Sequence, residues 1–136
     1  MAVIAGLCGA TSASAHHSGA MFDRTKEITL TGTVKEVQWT NPHAWLEVMV
    51  PDQTGKPVQW GIEFGGGPQA LIRIGFTRSN VKAGDKVTVL AHPLRDGRPG
   101  GSFMSVTLAD GKVLKDGKPG TGNGRANPVV NRTAAD

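Results

Sequence analysis

Hydrophobic and polar residues alternate along much of the chain between Ile28 and Leu108, and the places where the alternation breaks divide it into elements. Ile28, Leu30 and Val34 fall on one side of the first segment and Thr29, Thr31 and Thr33 on the other, the pattern of a half-buried strand. Gly32 interrupts it and the apolar phase moves to Val37 and Trp39, which predicts a bulge or sharp bend. Thr40-Asn41-Pro42-His43 is turn chemistry. Ala44, Leu46, Val48 and Val50 then form one face of a second strand, with His43, Trp45, Glu47 and Met49 on the other. A hairpin loop over 52–57 leads to a third strand whose inward face is Val58, Trp60, Ile62 and Phe64.

Gly65-Gly66-Gly67 ends that strand as a tight turn. Pro68 suits the first position of a helix and Gly75 the position just after its end, with Leu71 and Phe76 as the apolar pair of a Schellman ending. This predicts a helix of about two turns over 68–74. A fourth strand over 86–92 carries Val87, Val89 and Ala91 on one face. A fifth over 103–108 carries Met104, Val106 and Leu108 on one face. The expected core is Leu30, Val34, Leu46, Val48, Trp60, Ile62, Val87, Val89 and Val106.

Three strands, a short helix and two strands is the order of an OB-like barrel. The expected fold is therefore all-β with one short helix, a five-stranded OB-like antiparallel barrel, with an open sandwich-like sheet as the alternative. Closure removes the edges that a small lone sheet would expose. The expected organisation is an export segment over 1–15, an N-terminal arm over 16–27, the barrel over 28–110 and a flexible basic tail over 111–136. Nineteen glycines and eight prolines in 136 residues agree with many turns and little helix.

The export reading rests on the first fifteen residues, small and apolar and ending in Ala13-Ser14-Ala15, an A-x-A cleavage pattern. They lack a basic start, which a start site placed too far downstream would explain. Cleavage after Ala15 predicts a periplasmic or secreted protein beginning His16-His17. The lone Cys8 would be removed with the leader, so no internal disulfide is expected. No apolar run approaches the ~20 residues of a membrane-spanning helix. The net charge is +4, but residues 112–136 hold five basic residues against two acidic ones. The excess therefore lies mostly in the tail, not on a folded face, and no nucleic-acid partner is expected.

AHHS at 15–18, LTGTV at 30–34, WTNPHAW at 39–45, GGGPQALIRIGFTR at 65–78 and KAGDKVTV at 82–89 stand together in this order. Their combination, over about residues 15–110, resembles a family of small exported bacterial proteins of unknown function, domain-of-unknown-function family 6152. The resemblance implies export and the strand order. It implies no activity and no site residues.

No nucleophile elbow, zinc-protease or phosphate-loop motif is present, and no enzyme is expected. Glu47 and Glu63 are expected on the outer face as solvated charges. Two binding chemistries remain open. In the first, the free amine and ring of His16 chelate copper, with His17 and His43 as further metal ligands, since copper or nickel favours such nitrogen donors. Cleavage after Ser14 would instead place His17 third, which also suits copper. His92, Met21, Met49 and Met104 are further candidate donors. Clustering of His16, His43 and His92 would favour this reading. In the second, a protein partner, small ligand or cell-envelope component docks at the barrel mouth on Trp39, Asn41, His43 and Trp45. An exposed apolar patch around Trp39, Trp45 and Met49 would favour that one.

Overall fold

The computed structural model describes residues 19–117. The expected export segment over 1–15, the candidate ligands His16 and His17, and residues 118–136 lie outside the described residues.

Among the described residues a single 3-10 turn (Gly19–Met21) is followed by six strands and one α-helix: β1 (Ile28–Gln38), β2 (Trp45–Pro51), β3 (Pro57–Glu63), α1 (Pro68–Ile74), β4 (Lys86–Pro93), β5 (Gly100–Leu108) and β6 (Val113–Lys115). The sheet runs β3-β2-β1-β4-β5-β6, and β3 also pairs with β5. That last pairing closes the first five strands into an OB-like barrel. It is parallel, Gly61 to Gly100 through Glu63 to Ser102, whereas every other pairing is antiparallel as expected. The crossover of α1 between β3 and β4 turns the chain so that β5 returns alongside β3 in the same direction.

The alternation places the core correctly with one exception. Leu30, Val34, Leu46, Val48, Ile62, Val87, Val89 and Val106 are buried together. Trp60 is half-buried and packs against the edge of that cluster. The seam with β5 starts only at Gly61, so the first part of β3 has β2 alone as a neighbour. Phe64, Phe76 and Phe103 stack at the end of the barrel beneath α1, with ring centroids 4.4–5.9 Å apart.

The irregularities sit beside the expected positions. In β1 the register shifts between Val34 and Glu36, not at Gly32. Gly32 stays in phase, and a β-carbon there would lie 2.2 Å from the Met49 carbonyl oxygen of β2. The glycine thus permits close approach of two strands. In β5 the register shifts at Met104, so Phe103 joins the core face with Val106 in place of the expected Met104.

The helix occupies the expected 68–74. Gly75 adopts φ 102° and donates to Leu71 and Ile72, and Phe76 N–H donates to Leu71 O, the Schellman pattern.

The tail expectation needs correcting at its start. Val113–Lys115 forms β6 against β5, and Leu114 is buried. One apolar side chain packed among the barrel's fixes a three-residue strand too short for alternation to reveal. Among the described residues, no helix is long and apolar enough to cross a membrane.

Candidate functional site

The turn between β1 and β2 is built against the triple glycine. Ala44 N–H donates to Gly66 O at 2.8 Å, and Phe64 N–H donates to Ala44 O at 3.0 Å. Thr40 Oγ1 donates to His43 O, pinning the turn from within. A β-carbon on Gly67 would sit 2.2 Å from Asn41 Oδ1 and 3.1 Å from the Thr40 carbonyl oxygen, so a larger residue here would push the turn's side chain and backbone aside. The peptide between Asn41 and Pro42 is cis. The triple glycine therefore does more than end β3: it is the floor of this turn.

His43 projects from that turn and its Nδ1 bonds the carboxylate of Glu63. Glu63 was expected to be a solvated outer-face charge, but it is buried. The hairpin register explains the pairing. Trp45 lies opposite Glu63, and His43, two residues earlier on the same face, leans over the neighbouring carboxylate. A buried carboxylate needs such a partner. It also sets the imidazole: the Nδ1–H donates to Glu63, and Nε2 is left with no hydrogen-bond partner among the described residues.

The N-terminal arm closes the other side. Phe22 is buried and bridges to Leu94; Asp23 N–H donates to Pro93 O at 2.8 Å, and Arg95 N–H donates to Met21 O at 2.9 Å. Hydrogen bonds from the Thr25 hydroxyl and N–H, with Lys26 nearby, hold the Asp23 carboxyl below the usual range. So anchored, the arm brings Met21 over the β1–β2 turn. The result is a cleft of about 260 Å³ lined by Met21, the turn residues Thr40 to His43, Trp45 and Glu63.

Three of the four residues expected at a barrel-mouth site, Asn41, His43 and Trp45, line this cleft. Trp39 does not: it packs against the core edge, with the Arg78 guanidinium 5.0 Å from its ring centroid. Trp39, Trp45 and Met49 are half-buried and form no exposed apolar patch. His92 does not line the cleft; its Nδ1 donates to Lys26 O at 2.8 Å. Among the described residues no three His, Cys, Asp or Glu side chains gather around one point. Sequence reasoning weighed Met21 only as one donor among several and missed Glu63 as the partner of His43. The Trp45–Glu63 register carries the second signal, but it can be read only once the hairpin is aligned.

The model of a family of unknown function, DUF6152, matches residues 5–103. The chain belongs to the DUF6152 family. No curated protein matches it. Among solved structures it is similar to the mitochondrial single-stranded DNA binding protein Rim1 of S. cerevisiae, at 16% identity and a TM-score of 0.44, over 68% of this chain and 97% of that one.

Proposed function

We propose that this DUF6152 protein is an exported, non-catalytic binding module that takes copper through its processed N-terminus, with His43 as the ligand contributed by the barrel. The observation that carries the reading is His43 itself. A carboxylate on Nδ1, with Nε2 unpartnered among the described residues, is the arrangement around metal-binding histidines, where the second partner fixes the ring and raises its basicity. The arm supports the reading. Met21 lies in the same cleft, and His17 stands four residues ahead of it, within roughly 14 Å even for extended chain. The amine and ring of His16, with His17 and His43, make the nitrogen-rich set that Cu(II) favours.

No Lys or Arg lines this cleft among the described residues, so it lacks the clustered cations that phosphate binding needs.

The test is Cu(II) titration of protein processed to His16, beside a form carrying a short Gly-Ser extension and a His16→Ala/His17→Ala variant. The processed protein binds tightly and the other two weakly, while His92→Ala matters little. Because ligands bind deprotonated, affinity also falls as pH drops through the imidazole range. Equal affinity in all three forms would overturn the reading and leave the cleft as a docking site for a partner or small ligand.

A further inference from the structure

The described part of the cleft contains a donor set that does not depend on the processed N-terminus. Met21, His43 and Trp45 line it together. They differ in chemistry from the amine and imidazoles of the arm. Met21 offers a thioether, lines the cleft and is 38% exposed. His43 offers Nε2, with the ring held by Glu63 through Nδ1. Trp45 offers a π face, which attracts cations most strongly where they have lost water.

Soft thioether donors select Cu(I) over the harder divalent ions. A monovalent ion also suits the local charge, since the buried Glu63 carboxylate beneath His43 is the compensating anion. Met21 does not belong to the buried core cluster. It is one of three large apolar residues left exposed among those described, yet its backbone is fixed by the Arg95 N–H bond, and Ala20 O by Arg95 Nε. The arm thus carries a thioether to the mouth of the cleft and keeps it at the surface.

We propose that Met21, His43 and Trp45 form a binding site for a soft monovalent cation, Cu(I), which works whether or not the N-terminus has been processed. The proposal takes His43 from the copper reading above, but it needs neither a free amine nor His16 and His17. The two can therefore fail separately. If both hold, His43 serves copper in either oxidation state, joined by the arm's amine and histidines for Cu(II) and by Met21 and Trp45 for Cu(I).

The test is anaerobic Cu(I) titration against a chromophoric competitor, with Ag(I) as a redox-inert probe, on the His16-processed protein and on the form with a Gly-Ser extension. Both bind Cu(I) with equal affinity, although the extension weakens Cu(II). Met21→Leu, which conserves volume, lowers Cu(I) affinity by roughly the 10–100-fold typical of weakened metal sites, or more, and leaves Cu(II) binding unchanged. X-ray absorption of the Cu(I) form shows a sulfur neighbour that is absent in Met21→Leu. Trp45→Phe removes the fluorescence change that accompanies Ag(I) binding. An unchanged melting temperature in each variant shows that the fold is intact. Wild-type Cu(I) affinity in Met21→Leu, or loss of Cu(I) binding on N-terminal extension, would overturn the proposal.

Discussion

Gly65 and Gly67 sit two positions apart and should answer substitution very differently. A β-carbon on Gly65 meets nothing within 4 Å, while one on Gly67 meets Asn41 Oδ1 and the Thr40 carbonyl. Gly67→Ala should therefore cost roughly 1–3 kcal/mol, the range for overpacking, and also weaken copper binding by displacing the turn that carries His43. Gly65→Ala should change both far less. Urea melts and copper titrations of the two variants check this. The core follows the same reasoning. Phe64 is 1% exposed and stacks on two other rings, so Phe64→Ala should cost roughly 3–5 kcal/mol. Trp60→Ala should cost less, despite the larger side chain, because the barrel closes beyond it. At this scale the inward residues were legible from period-two alternation alone. What alternation does not report is how far along a strand closure extends, which is why Trp60 reads as core. Nor does it report pairs across a hairpin, so Glu63 reads as solvated although it lies under His43.

Among elements, the hairpin and turn aspartates carry a pH dependence. Asp52 in the β2–β3 loop accepts from the Thr54 hydroxyl, Thr54 N–H and Lys56 N–H, and these bonds hold its carboxyl below the usual value. Asp85 is lowered likewise, chiefly by the Lys82 N–H, and Asp96 chiefly by the Arg98 N–H. A carboxyl depressed in the folded state stabilises it above the unfolded pKa, and that contribution is lost as pH falls through the folded pKa. Stability should thus hold near neutrality and decline on acidification below about pH 4. Urea midpoints at several pH values check the slope, and Asp52→Asn should flatten part of it. The last strand offers a second check. Ending the chain after Asp110 removes β6 and the buried Leu114, and should lower the melting temperature clearly. Leu114→Ala alone should cost roughly 2–5 kcal/mol. An unchanged melt in both would show β6 to be incidental. The helix was legible to the residue, because Pro68 and Gly75 mark its ends by local stereochemistry. β6 and the parallel β3–β5 seam were not. The seam depends on which distant segment closes the barrel, and β6, a short return along β5, is three residues long and carries too little alternation to read.

Across the whole molecule, the barrel acts as a rigid base for two short segments, the β1–β2 turn and the N-terminal arm. The turn presents His43 on a buried carboxylate, and the arm sets Met21 beside it. Much of this site was readable in advance, since Asn41, His43 and Trp45 stand in one unusual stretch of sequence. The approach of the arm was not, because it depends on backbone bonds to the Pro93 carbonyl and from the Arg95 N–H, seventy or more positions away. The central claim is that export creates a copper-binding N-terminus next to this base. Its most direct test is the metal content of the protein produced behind a complete export signal and purified from the periplasm without a tag or chelating resin. Copper at near-stoichiometric level on chains whose N-terminus is His16 or Ala15 is the predicted result. Correctly processed protein that carries no copper, and takes none up when copper is added to the growth medium, would contradict it.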